Sequence, residues 1–401
     1  MESHALQKYG VPFYGAAWVP YKHIRSKLKL LEQILEQDEG RNGSGDEAPT
    51  ADKFDTVSAN HNYVVLVGGG GEGKSGIPNA VVLSRFDFAS NTLSNQPVAK
   101  FKTDSDLPYR MAVHPRGDGI ICAMQNSCRL FEWVRENSDK VQRLGVKGSE
   151  KVLSLLEDVG QQLALAFDSD GSTLATGGED GKLRVLKWPT LEIILNESEA
   201  HACVKDLSFS PDGKFLVSLG NRGPGRVWDV TSASVIASLP NKNDEIFASC
   251  RFSPSSDQNY LLYIAAITDK GASIVTWNTT SWKRIRSKRV VRESVYSFNV
   301  SADGKLLAIG TGGDIAIINS SNMAIQTMVR KAHLGFVTAL AFSDDSRALV
   351  SASMDSSARV TLIENKKKSG LNLWIIILFV LLAIAVYFIK LIQSKHAIAE
   401  G

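Results

Sequence analysis

An all-β propeller of seven four-stranded blades, followed by one C-terminal transmembrane helix, is the fold class this sequence predicts. Three observations predict it. A short turn motif recurs through the chain at the spacing of propeller blades. Strand-like segments flank each copy. A single uncharged apolar run, Leu373 to Ile389, stands apart from everything before it.

The repeat is clearest as Ala166-Phe167-Asp168-Ser169-Asp170-Gly171 and Ser208-Phe209-Ser210-Pro211-Asp212-Gly213. Weaker copies begin at Ala112, Arg251, Asn299 and Ala341. Their turns fall at positions 117, 171, 213, 256, 304 and 346, spaced by 54, 42, 43, 48 and 42 residues. The period of a four-stranded blade is about 40–45 residues. After each turn comes a second strand (Thr173–Thr176, Phe215–Ser218, Leu306–Ile309), then a turn of small residues. A third strand follows, Leu183–Trp188 in one copy and Arg226–Asp229 in another. Trp228-Asp229 is the WD signature, and Ala200-His201 and Ala332-His333 stand where such repeats carry Gly-His. These are six WD-type blades. A hairpin near the N-terminus makes seven, a common closure number. Residues Ala5 to Tyr9 are expected to pair with the last blade and close the ring.

That first blade opens with a strand at Tyr14–Val19, and its partner begins near Asn62. Residues 20–60 between them form an insertion, helical in part and disordered in part. Ile24, Leu28, Leu31 and Leu35 recur at helical spacing within Lys22 to Asp38. Gly40 to Asp52 is rich in Gly, Glu and Asp and reads as disordered. The helix is either a docking element for a partner or membrane surface, or a tolerated loop insertion, since closure entropy grows slowly with length.

The hairpin of the first blade carries Gly68-Gly69-Gly70-Gly71-Glu72-Gly73-Lys74-Ser75-Gly76-Ile77-Pro78-Asn79. Gly68, Gly73, Lys74 and Ser75 satisfy the pattern G-x-x-x-x-G-K-[ST] of phosphate-binding loops. Such a loop must run from a strand into a helix, whose N-terminal amides hold the phosphates. Here the upstream half, Asn62–Val67, reads as a strand. Downstream, Pro78 removes a helical donor and biases Ile77 toward extended backbone. Ala80–Asp87 then reads as another strand. A strand–loop–strand hairpin makes no such site. Four consecutive glycines are costly to order, so the run points to unusual backbone angles, or to amides and carbonyls converging on something.

Composition narrows the remaining choices. Among 401 residues the net charge is +3, too mild to argue for nucleic acid. Cys122, Cys128, Cys203 and Cys250 show no metal-ligand spacing and suit reduced thiols in a cytosolic domain. No catalytic motif joins any of the seven histidines to a nucleophile. The basic stretch Lys283 to Arg292 reads either as an outer strand guarded by charge or as a face toward anionic lipid.

Leu373 to Ile389 spans roughly 25 Å as a helix, close to the roughly 27 Å apolar thickness of the endoplasmic reticulum. Trp374 and Tyr387 sit near its ends, and Lys366-Lys367-Lys368 precede it. The expected organisation is a cytosolic propeller over residues 1–365, a basic linker 366–372, a membrane span 373–389 and a luminal tail 390–401. With so short a tail, the span is expected to insert after synthesis as a C-terminal anchor.

Taken with the propeller and the anchor, Tyr14-Gly15-Ala16-Ala17-Trp18, Gly68 to Gly71 and Gly76-Ile77-Pro78-Asn79-Ala80-Val81-Val82-Leu83 resemble one family. It is the membrane-bound guanine-nucleotide exchange factors that activate the Sar-type GTPase to start COPII coat assembly, and the likeness is to plant members. The resemblance implies GDP release from that GTPase at the endoplasmic reticulum, for ER-to-Golgi transport, without covalent chemistry. It implies Asn79 as the key exchange residue, with Ile77 and Pro78 shaping the contact. It also implies a potassium ion held by oxygens of the loop Gly71, Glu72, Gly73, Lys74, Ser75 and Gly76, the individual ligands unassigned. Cargo or other coat components are further partners it allows. A related plant propeller that assists exit of phosphate transporters is the alternative; it lacks the glycine loop. The family is expected to have a short turn where this chain inserts residues 20–60.

Overall fold

A computed structural model describes residues 5–28, 61–71, 75–138, 141–242, 245–254, 260–363, 377 and 379–390. Two compact units divide the chain, Met1–Leu362 and Ile363–Gly401.

The first unit is a seven-bladed propeller. Blade 1 holds strands Phe13–Trp18, His61–Gly68 and Ala80–Asp87, with Thr92–Leu93 and Ala99–Lys102 both pairing on the last of these. Blades 2 to 6 follow as four consecutive antiparallel strands each, starting at Arg110, Gln162, Val204, Ile246 and Ser297. Blade 7 takes Val337–Phe342, Ala348–Ser353 and Ser357–Leu362 from the C-terminal side and its outer strand, Leu6–Lys8, from the N-terminus. Leu6 lies opposite Arg359 and Lys8 opposite Ser357. The expected closure by Ala5–Tyr9 is therefore present. The first strands of neighbouring blades lie side by side around the whole ring.

The repeat motif has a physical reason. In blade 4 the Ser210 hydroxyl donates to Asp212 Oδ1 at 2.5 Å and accepts from the Phe215 amide at 2.8 Å, while Gly213 N–H donates to Ser210 O. Ser301 with Asp303, and Ser343 with Asp345, repeat this. A serine thus supplies the turn's backbone with a local partner at the point where two strands must reverse. The histidines are equally structural. His201 Nε2 meets Ser218 Oγ at 2.8 Å, and Trp228 Nε1 donates to the same oxygen. His333 bridges Ser351 and Ser357 at 2.8 and 2.6 Å.

Packing between blades supplies the core. Val64 and Leu66 face blade 7, packed with Val350 and Val360, whereas Val65 and Val67 face blade 2, packed with Ile120 and Phe131. Both faces of a middle strand are buried, so Tyr63-Val64-Val65-Leu66-Val67 reads as a continuous apolar run rather than an alternation.

Residues 21–28 are helical, in agreement with the spacing read from Ile24 and Leu28. Ile24 is buried against Gly117, and Leu28 packs on the same cluster. Lys27 pairs with Asp118. The part of that expected helix beyond Leu28, and the expected disorder of Gly40–Asp52, fall outside the described residues. Strand register places Trp18 and His61 at one end of blade 1 and Phe13, Gly68, Ala80 and Lys102 at the other. The insertion and the glycine loop therefore leave blade 1 at opposite ends, and the insertion is rooted away from the glycine-loop face.

Arg284–Val291 is the outer strand of blade 5, as the edge-strand reading expects. Arg284 forks onto Glu245 at 2.8 and 2.5 Å, Arg286 donates to the carbonyls of Ser320 and Ser321, and Lys288 donates to that of Asn322.

In the second unit, residues 379–390 are helical with exposed apolar side chains. Among the described residues no helix is long and apolar enough to cross a membrane. Residues 373–376 and 378 of the expected span lie outside them.

Candidate exchange loop on blade 1

Gly68 ends one strand and Ala80 begins the next, so the glycine stretch is a hairpin loop. Residues 75–79 are not helical. The hydrolase reading of the G-x-x-x-x-G-K-[ST] match fails on that geometry: among the described residues the loop runs on into a strand and not into a helix N-terminus.

Each described glycine has its own cause. A Cβ on Gly68 would collide with the carbonyl oxygen of Pro12, which also accepts from the Gly69 amide at 3.0 Å. A Cβ on Gly69 would strike the Asn79 side chain, and one on Gly70 would strike the Ser75 hydroxyl and Ile77. These three glycines let two chain segments lie in backbone contact. Gly71 and Gly76 differ: nothing crowds them, but their φ angles are +79° and +72°, left-handed conformations that a side chain would strain.

Asn79 organises the loop. Its side chain is only 2% exposed. Oδ1 accepts from the Gly71 amide at 3.0 Å, and Nδ2 faces the carbonyls of Asp104 at 3.0 Å, Ser105 at 3.1 Å and Gly71 at 3.4 Å. Its own carbonyl accepts from Thr103 N–H at 3.0 Å. One amide, donor on one side and acceptor on the other, ties the start of the loop to the turn after Ala99–Lys102. Thr103 and Asp106 close that turn on each other, and Arg129 holds Asp106 at 2.9 Å. Nothing in the sequence pattern connects residues 79 and 104, because the contact is made across the blade edge.

Of the site residues named from the sequence, the structure brings Gly71, Ser75, Ile77 and Asn79 together. Ile77 is 39% exposed and Pro78 half-buried, so these two present the surface, while Asn79 sits beneath them. The Ser75 hydroxyl accepts from Ile77 N–H at 3.3 Å. Glu72, Gly73 and Lys74 lie outside the described residues. Among the described residues no group of His, Cys, Asp or Glu side chains could hold a metal.

The model of the WD domain, G-beta repeat, matches residues 158–186, 193–262 and 325–361, stretches within blades 3 to 7. The chain is 50% identical to SEC12-like protein 2 of Arabidopsis thaliana over 372 residues, covering 92% of this chain and 91% of that one. The chain belongs to the SEC12-like family. A second SEC12-like relative, SEC12-like protein 1 of Arabidopsis thaliana, is 31% identical over 75% of each chain. The guanine nucleotide-exchange factor SEC12 of Mus musculus is 24% identical over 374 residues, 79% of this chain and 88% of its own. This SEC12-like propeller thus has a first blade, outside the general repeat model, whose hairpin loop is tied to the turn after Lys102 by the buried Asn79.

Proposed function

We propose that this chain is a guanine-nucleotide exchange factor that releases GDP from a Sar-type small GTPase at the endoplasmic reticulum membrane, at the start of COPII assembly. The observation that carries the proposal is the Asn79-locked loop, which presents Ile77 and Pro78 at the surface of an otherwise closed ring. Kinship with relatives named exchange factors supports it.

Exchange needs no acid, base or nucleophile. A protein that binds the nucleotide-free GTPase more tightly than the GDP form weakens GDP by the same factor, by linkage. A rigid loop serves this better than a loose one, since ordering on binding would subtract from that difference. Asn79 contributes by fixing the loop, and Ile77 with Pro78 makes the contact.

Potassium fits the described part of the loop. The carbonyls of Gly71 and Gly76, at left-handed turns, and the Ser75 hydroxyl are neutral oxygens. Such a set suits a monovalent cation, since Ca²⁺ and Mg²⁺ sites draw on carboxylates. When bound, the ion supplies a positive centre for these oxygens. Leu373 to Ile389 anchors the chain, with the propeller cytosolic and residues 390–401 luminal, confining active GTPase to that membrane.

The test is GDP release from a Sar-type GTPase, followed with a fluorescent GDP analogue, in potassium and again in sodium. Acceleration by the intact chain, strongly reduced in Asn79→Ala and weaker in sodium, is expected. Binding of the GTPase without acceleration would replace this reading with that of an adaptor.

A further inference from the structure

We infer that the small GTPase is held by a second surface on blades 6 and 7, distinct from the exchange loop and made of Tyr296, Leu334, Phe336 and Met354. The inference rests on the exchange reading above.

The two faces of the ring differ in kind. Among the described residues, exposed large apolar side chains in loops occur only on the face that carries the glycine loop. Ile77 is one of them, and Leu155, between blades 2 and 3, is another. The densest group lies over blades 6 and 7. The rings of Tyr296 and Phe336 sit 4.4 Å apart, centroid to centroid. Met354 N–H donates to Phe336 O at 3.3 Å, and Leu334, 81% exposed, is held by its amide on Asp355 at 2.7 Å. The turns on the opposite face expose no comparable side chain among the described residues. Contiguous exposed apolar groups rimmed by charge mark protein contact sites.

Position selects the occupant. Blade 7 is the ring neighbour of blade 1: Thr338 Oγ1 donates to Phe13 O at 2.7 Å, and Trp18 Nε1 to Ala341 O at 3.0 Å. A partner seated on the blade 1 loop therefore lies beside the aromatic group. The loop alone is too small for a specific complex, which takes roughly 800 Å² and 20–30 residues from each side. The patch supplies the apolar centre that the loop lacks, with the aromatic and Met residues that dominate interface energies. Beside it, between blades 5 and 6, a cleft of about 560 Å³ is lined by Arg289, Arg292 and Arg330 with Glu293 and Asp314. Arg289 and Arg292 have no ion pair among the described residues, so they form a cationic rim that speeds encounter with an acidic partner surface.

Two contact regions with different tasks predict a kinetic split. Leu334→Glu and Phe336→Ser in the full chain, assayed with the GTPase carrying fluorescent GDP, raise the exchanger concentration for half-maximal release at least tenfold. They leave the rate at saturation within twofold. Asn79→Ala lowers the saturated rate instead. Leu334 is so exposed that Leu334→Glu keeps the thermal midpoint of the parent, which separates lost docking from lost folding. Unchanged half-maximal concentrations in both variants overturn the inference. So does dissociation of a self-associated chain by Leu334→Glu with exchange intact, which would make a second copy the occupant. Failure of the unmodified chain to accelerate GDP release is a different result, and sinks the exchange reading itself.

Discussion

Asn79 carries four polar contacts on one amide: Oδ1 accepts from one amide and Nδ2 faces three carbonyls. Aspartate is nearly isosteric, but it would set an acceptor oxygen where Nδ2 now meets three carbonyls. A buried carboxylate facing carbonyls is repelled and desolvated. Asn79→Asp is therefore expected to loosen the loop more than Asn79→Ala, which leaves the two turn carbonyls unpaired at about 1–3 kcal/mol. Amide hydrogen exchange at Gly71 reads this directly, and equal protection in wild type and Asn79→Asp would dispose of the idea. Gly69 gives an independent check, since Gly69→Ala drives a methyl into the Asn79 side chain. It should lower GDP release as Asn79→Ala does, while Gly160→Ala, at a left-handed but uncrowded turn, should cost only backbone strain and leave exchange intact. The glycine run and Asn79 were both visible in the sequence, but the burial of Asn79 was not. Whether an amide points at solvent or back at its own loop depends on a turn twenty-five residues away.

Strands and turns were the most legible elements. Their Ser-x-Asp-Gly turns and apolar runs are local codes, and each closes its hydrogen bonds within a few residues. The histidines that precede blades 4 and 7 are less local, and they couple the blades to pH. Burial pulls His201 and His333 down to about 4, and for His333 it outweighs the nearby Asp355. Their native-state values lie below the ordinary 6.5, so the unfolded chain takes up protons first as pH falls. The stabilisation is whole above pH 6.5 and is lost progressively on the way to about pH 4. For the buried His333 this amounts to on the order of 3 kcal/mol. The thermal midpoint should fall across that window, and His333→Gln should flatten the slope. A midpoint independent of pH between 7 and 5 would contradict the buried, neutral assignment. Helix 21–28 belongs at this scale too. Ile24→Ala empties a buried site beside Gly117 and should cost roughly 2–5 kcal/mol, measurable by denaturant titration, with the saturated exchange rate unchanged because the helix is rooted at the other end of the blade.

At the scale of the molecule, the ring is closed by a strand from each end of the propeller. Removing the chain through Tyr9 leaves Ser357–Leu362 as an exposed edge and takes away the Tyr9 hydroxyl that bonds Ser84 and the Ser94 carbonyl. Deletion of residues 1–9 is expected to lower the thermal midpoint by several degrees and to raise aggregation through that edge, seen by scanning calorimetry and light scattering. A midpoint equal to that of the intact chain would mean that the ring closes without this strand. The face asymmetry also belongs to this scale. Among the described residues, exposed apolar loop residues gather on the side of the glycine hairpin, and the insertion is rooted on the other.

The sequence by itself determined the blade count, the strand positions, the closure by the N-terminus and the hairpin nature of the glycine stretch. The blade repeat, the strands and the hairpin are written in residues close together in the chain, as turn chemistry or as apolar runs, and the closure follows from the need of a ring to pair its last blade. Only the tertiary structure decided that Asn79 is a buried clasp rather than an exposed finger. It alone decided that the insertion and the loop leave opposite ends of blade 1, and that Tyr296, Leu334, Phe336 and Met354 meet on one face. Those facts depend on strand direction and on contacts across blades, which bring together residues that no local pattern connects.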